Sequence, residues 1–381
     1  MILENLQIEN GLNIFSEIAE LAAQYDALNL AQGSPDSPLD QRLKKFLIDA
    51  ASHDMNPYAA AFMLPVLKES IIQFNARRKF PLKLHESEIM VVPGATYGIY
   101  VAFASFLKPG DEVIILEPCY DTYRHAVEIR NAKPVFIDLK QNNEPDWEKI
   151  KSSVSKKTKA IIINSPQNPT GKIWSAADWD LLWEIIENTQ IVVISDEVYD
   201  VLHYGRQEFI SAYHHPEIRH RCFCVFSFEK MFHISGWKAG YVIASPENIS
   251  AFSRIHQCLT FTVNAHAQYA LSKYLDVFDA EKQKLLFLEK RNLFNNLMRD
   301  LPFELAEPCE GGYFQTVNFL NYNSYLSDKE FSELLVRKAQ VAAVPYSAFY
   351  HDKKNTGKLR FCFAKKDETL FQAAENLKRM L

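Results

Sequence analysis

The sequence predicts an α/β protein, with a large domain on a mostly parallel sheet and a smaller α+β domain. Three observations carry this expectation. Seven short apolar runs stand between residues 89 and 244, separated by stretches of helical period. The runs are continuous in Val, Ile and Phe rather than alternating with polar residues, as in strands buried on both faces. Past about residue 280 this rhythm yields to a long charged helix, then to short strands and helices in mixed order.

Taken in order, residues 1–40 read as an arm followed by a helix from Ile14 to Tyr25, with Ile14, Ile18 and Leu21 at helical spacing. LNLAQGSPDSP (28–38) is an extended segment that turns at Gly33, Pro35 and Pro38. A helix at 41–51 leads into MNPYAAAFMLPVLKESI (55–71). The predicted strands are IMVV (89–92), VIIL (113–116), PVFI (134–137), AIII (160–163), IVVI (191–194), CFCVF (222–226) and YVIA (241–244). These place the large domain at 41–280, leaving 1–40 and 281–381 to the small domain. In the latter, GGYFQTVNFL (311–320), a helix at 328–340, a short strand near 341–344, KLRFCF (358–363) and a helix from 367 complete the chain.

Composition narrows the function classes. The 381 residues are 48% hydrophobic and 23% charged with a net charge of -5, which argues against nucleic-acid or anionic-membrane partners. No apolar run approaches the ~20 residues of a membrane span. The N-terminal stretch lacks the basic-then-apolar layout of a secretory leader. The six cysteines show neither a C-x-x-C pair nor metal-ligand spacing. A cytoplasmic protein with free thiols and no metal is therefore expected.

The polar motifs all fall at the ends of predicted strands, where ligands bind in parallel sheets. FCVFSFEKMFHISGWKAGY (223–241) runs as a buried strand, delivers Ser227 and Lys230, breaks at Gly236 and then presents Lys238. Burying an ammonium costs several kcal/mol unless it is paired or neutralised. One use of such a lysine is as a nucleophilic amine with a depressed pKa; a plain surface lysine at a strand–loop junction is the alternative. PGATYG (93–98) follows a strand and opens a helix, so free amides and Gly94 could cradle an anion. SDEVY (195–199) puts Asp196 at a strand end, as a buried carboxylate or a helix N-cap. The 34 positions from Asp196 to Lys230 leave room for one helix or loop and one strand, which places both at neighbouring strand ends. Arg360, in KLRFCF, suits bidentate binding of a carboxylate, or an exposed strand edge.

With EPCYDTY (117–123) and NSPQNPTGK (164–172), the order of these motifs resembles the fold-type I, class I/II aminotransferases that use pyridoxal 5'-phosphate (PLP). The S-x-x-K followed by S-G-W-K-x-G is similar to the methionine, kynurenine and glutamine–phenylpyruvate aminotransferase subgroup, and the likeness covers nearly the whole chain. It implies that Lys230 is the Schiff-base lysine and general base. Gly94, the amides of Ala95 and Thr96, Ser227 and Lys238 would hold the cofactor phosphate. Tyr120 would stack on the pyridine ring, Asp196 would keep its nitrogen protonated, and Asn168 and Tyr199 would donate to its oxygen. Gly33, Asn168 and Arg360 would meet the substrate carboxylate. Tyr58, in an N-x-Y match, would reach the partner's phosphate in a homodimer with shared sites.

Three departures from that pattern stand out. Ser34 replaces an aromatic after Gly33, and no glycine falls between Tyr58 and Leu67. Glu229 takes the place of a small residue before the lysine; directed away it is harmless, but paired with Lys230 it would raise the lysine pKa. The implied reaction moves the amino group of an L-amino acid to a 2-oxo acid by a ping-pong mechanism. Methionine, aromatic amino acids and kynurenine are the expected donors, because no second arginine stands in a motif that would bind a side-chain carboxylate. Two alternatives are β-elimination on cysteine S-conjugates at the same site and a non-catalytic PLP-binding protein. The complete set of chemical residues, and no appended DNA-binding segment, count against the latter.

Overall fold

The computed structural model describes residues 14–36, 38–59 and 62–380. The expected arm before Ile14, and positions 60 and 61 of the loop without glycine, lie outside them.

The seven predicted runs all become strands of one sheet. These are β2 (Ile89–Val92), β3 (Glu112–Glu117), β4 (Lys133–Asp138), β5 (Thr158–Asn164), β6 (Val192–Asp196), β7 (Cys222–Ser227) and β8 (Gly240–Ala244). β1 (Leu28–Asn29) lies outside this sheet. The strand order is β2-β8-β7-β6-β5-β3-β4. The five strands from β4 to β7 in this order run parallel, whereas β8 is antiparallel to β7 and to β2. β8 turns straight back beside β7 through the short helix Phe228–Phe232 and the turn Ser235–Trp237, so no crossover reverses its direction. Val91, Ile115, Ile161, Val193, Val225 and Val242 are fully buried across the middle of the sheet. Each such side chain contributes about 1.5–3 kcal/mol on leaving water. Cys222 and Cys224 share a face of β7, with sulfurs 3.7 Å apart in the core.

β9 (Glu304–Leu305), β10 (Phe314–Asn318), β12 (Val344–Pro345) and β13 (Lys358–Cys362) form a separate antiparallel sheet in the order β12-β13-β10-β9. The single strand expected near 341–344 is in fact two. β11 (Val341–Ala342) pairs in parallel with β1, whereas β12 joins β13. Between them Ala343 turns its carbonyl aside to accept the Ser332 hydroxyl at 2.7 Å, and there the chain changes sheets. Helices Ile14–Gln24 and Asp328–Ala339 pack Ile18, Ala22 and Val336 against Ala342, Val344 and Tyr346. Among the described residues no helix is long and apolar enough to cross a membrane. None of their His, Cys, Asp and Glu side chains group in threes or more around a possible metal position.

Candidate active site

β6 and β7 are adjacent and parallel, with Asp196 opposite Val225, so Asp196 and Ser227 emerge at the same edge of the sheet. The segment between these strands holds only the short turns Ala212–His214 and Ile218–Arg221, the loop option of the expected connection. A cavity of about 400 Å³ opens above this edge. Gly33, Ala95, Thr96, Tyr120, Asn168, Asp196, Tyr199, Ser227, Lys230, Lys238 and Arg360 line it. Gly94 sits directly behind as the N-cap of the helix Ala95–Ala104. Tyr58 does not line it; its ring is 81% exposed and meets Phe261 edge-on at 5.2 Å.

Lys230 is set by its own helix start. The Ser227 hydroxyl caps the helix Phe228–Phe232 by accepting the Lys230 amide at 3.4 Å. That places the amine inside the cavity, where Nζ donates to the Gly33 carbonyl at 3.4 Å. Burial lowers the ammonium pKa, against the opposing pull of the Glu229 charge. The same Gly33 carbonyl accepts the Tyr313 hydroxyl at 2.8 Å. A Cβ on Gly33 would stand 2.6 Å from Phe314, so the ring packing admits only glycine there.

Asp196 is buried, and burial pushes its carboxyl up to about 6. Two donors oppose that shift: the Tyr123 hydroxyl on Oδ2 and the Val198 amide on Oδ1 at 3.3 Å. Asn164 donates to the Asp196 carbonyl at 2.9 Å and accepts the Asn168 amide at 2.8 Å, which ties the NSPQNPTGK loop to β6. Tyr199 is buried edge-on to Tyr313, with centroids 5.2 Å apart.

Arg360 reaches the cavity from β13. Its guanidinium donates to Asn168 Oδ1 at 2.7 Å and to the Ala31 carbonyl at 2.8 Å, and lies 3.8 Å over the Phe314 ring. Only 2% of the residue is exposed and Nε has no partner. No carboxylate among the described residues forms an ion pair with it, and burial pulls its pKa down to about 10. A buried cation left without a counter-ion is costly, and an anionic ligand would relieve it.

At the opposite end, Gly94 has φ +96° and no side chain to cap the helix amides. Lys238 stands beside it, 3.1 Å from Glu229 Oε1. Of the two orientations expected for Glu229, neither holds as stated. It points into the site, yet pairs with Lys238. Ser34 meanwhile gives its carbonyl to Lys365 Nζ at 2.8 Å.

The motifs did not reveal Tyr123, which clamps Asp196, nor Phe15 and Phe314, which face Arg360 from two elements. Tyr123 carried one faint signal, an aromatic one helical turn past Tyr120.

The cavity thus joins an amine whose proton affinity burial lowers to a buried guanidinium without a counter-ion, a pairing suited to reaction with amino acids. Known proteins agree. Residues 25–377 match the family described as aminotransferase class I and II. The chain is 37% identical to the methionine aminotransferase of Escherichia coli K12, over 97% of its own length and 96% of the relative's. Human kynurenine–oxoglutarate transaminase 1 is 27% identical over 96% and 95% of the two chains. Among solved structures, the E. coli protein with methionine aminotransferase function superposes with a TM-score of 0.93 at 34% identity, over 98% of each chain. N-succinyldiaminopimelate aminotransferase from Mycobacterium tuberculosis gives 0.92 at 28%, over 97% and 98%. The chain belongs to the class I and II aminotransferases and is an amino-acid transaminase. That family is PLP-dependent. The residues here fit the cofactor: an uncapped helix N-terminus beside Lys238 suits a phosphate, and a buried, destabilised carboxylate suits a protonated ring nitrogen.

Proposed function

We propose that this transaminase carries PLP and moves the amino group of L-methionine or an aromatic amino acid, kynurenine included, to a 2-oxo acid in the ping-pong order general to its family. The observation that carries this reading is the buried, counter-ion-free Arg360 in the same cavity as the buried amine of Lys230. The sheet unit at 41–280 and the unit made of 1–40 and 281–381 act as large and small domains of a cytoplasmic homodimer. Gly94, Ala95, Thr96, Ser227 and Lys238 would hold the phosphate. Tyr120 would lie against the ring, with Asp196 at its nitrogen and Asn168 and Tyr199 at its oxygen.

When bound, PLP supplies an electrophilic carbonyl and a ring that takes up the electron pair left at Cα. Arg360 and Asn168, with backbone near Gly33, fix the substrate carboxylate and so orient the Cα–H bond. Lys230, once free, takes the Cα proton and returns it as general acid; burial lowers its pKa and so favours the neutral amine that accepts the proton. Asp196 supplies the negative charge that holds a proton on the ring nitrogen.

Substrate preference follows from the cavity wall. Phe15, Ile99, Tyr120 and Phe314 supply apolar surface, and Arg360 is the arginine among the described lining residues. A second carboxylate would be desolvated without a partner, whereas a thioether or aromatic ring would not. In an amino-acid panel scored for oxo-acid formation, kcat/KM for methionine and phenylalanine should exceed that for aspartate and glutamate by at least about tenfold. Aspartate as the best donor would overturn the substrate assignment and leave the reaction class intact.

Tyr58 reaches the partner's cofactor phosphate in this reading. Supporting it, Tyr58 and Phe261 form an exposed aromatic pair, of the kind a subunit interface covers. Tyr58→Phe should weaken PLP retention in a protein that sediments as a dimer. Full activity in a sedimenting monomer would contradict the shared site.

A further inference from the structure

Glu229 is the feature of the cavity that the transamination chemistry leaves unused. Its side chain is 8% exposed, and its oxygens lie 3.1 and 3.3 Å from Lys238 Nζ. A Cβ built on Gly94 would fall 2.7 Å from Glu229 Oε1 and 3.1 Å from Lys238 Nζ. The carboxylate is therefore pressed against the uncapped start of the ten-residue helix Ala95–Ala104. Oε1 is buried and receives no hydrogen bond of good geometry. An anion already sits beside the helix start, paired with Lys238.

We propose that Glu229 is an internal occupant of the phosphate subsite, and that the cofactor phosphate binds only by displacing it. The inference rests on the reading that Gly94–Thr96 and Lys238 hold that phosphate. A bound phosphate carries roughly -1.5 to -2 charges near neutral pH. It needs the ammonium that now serves the carboxylate, and the space at the helix terminus that the carboxylate fills. Two anions within a few ångströms of each other in a site this enclosed repel strongly. Glu229 must then rotate out, giving up the Lys238 pair, before the phosphate can settle. Lys238 is itself 59% exposed, so it can follow either anion. Cofactor affinity is thereby set lower than the remaining cradle would allow, and the penalty falls on phosphorylated ligands alone.

The test is an equilibrium titration of the cofactor-stripped enzyme with PLP, with pyridoxal, and with inorganic phosphate as competitor. It compares the natural protein with Glu229→Gln, which keeps the shape, and Glu229→Gly, which empties the position. Both variants should bind PLP at least about tenfold more tightly, because a facing like charge costs more than a decade of affinity. Pyridoxal affinity should move by less than about threefold, a difference under one decade. The inhibition constant of inorganic phosphate, corrected for the PLP affinity of each protein, should fall in both variants in step with the PLP Kd. Unchanged or weaker PLP binding in Glu229→Gln overturns the proposal, as does an equal gain for pyridoxal, which would place the effect at Lys230. Borohydride reduction separates the two levels. Labelling of Lys230 in all three proteins with equal PLP affinities removes this inference alone. Failure of every form to take up PLP removes the cofactor reading as well.

Discussion

Replacing Lys230 by alanine is expected to lower transamination about 10³-fold or more, since in the proposed mechanism one residue serves both as the reacting amine and as the proton carrier. The position is demanding. The amine is held by a helix turn that Ser227 caps, it faces the Gly33 carbonyl at 3.4 Å, and burial has lowered its pKa. Among the described residues no other amine shares these conditions: Lys238 lines the same cavity but pairs with Glu229. Alanine leaves the helix intact, so circular dichroism should be unchanged while kcat with methionine and a 2-oxo acid collapses. A loss of less than tenfold would mean that proton transfer is carried elsewhere.

Asp196→Asn should act with opposite signs on turnover and on the stability of the cofactor-free protein. Turnover should fall about 10²–10³-fold, the scale seen when one preorganised electrostatic group is removed. Stability should rise. Burial raises the folded carboxyl from the usual 3.8 to about 6. In the window between those values, rising pH strips the proton from the unfolded chain first, so stability falls as pH rises. Above about 6 the full cost is present, and at about 1.4 kcal/mol per pH unit it is of order 3 kcal/mol. Asparagine carries no charge and can still accept the Tyr123 hydroxyl. The stripped variant should therefore melt higher than the natural protein at pH 7, with the gap closing towards pH 4. An equal or lower melting temperature at pH 7 would show that Asp196 is already stabilised by its neighbours.

Much of this site was legible in the sequence because parallel strands announce themselves twice. They are continuous apolar runs, and the polar residues that matter follow each run immediately. Asp196 after β6 and Ser227 and Lys230 after β7 needed only that rule. What stayed hidden depends on approach in three dimensions. Tyr123 clamps Asp196 across 73 positions, and Arg360 meets Asn168 across 192. The direction of β8 was also invisible, since a buried strand has the same composition whichever way it runs. The split at Ala343 leaves no mark in the sequence, because two-residue strands carry no period. Glu229 is the instructive case. Adjacency in sequence suggested a partner in Lys230, but neighbours on a helix point about 100° apart, so the carboxylate turns instead to Lys238.

The most direct measurement is borohydride reduction of the purified enzyme, followed by proteolysis and mass spectrometry of the modified peptide. A single pyridoxyl group, carried on Lys230, is expected. A pyridoxyl group on Lys238 or on any other lysine would contradict it.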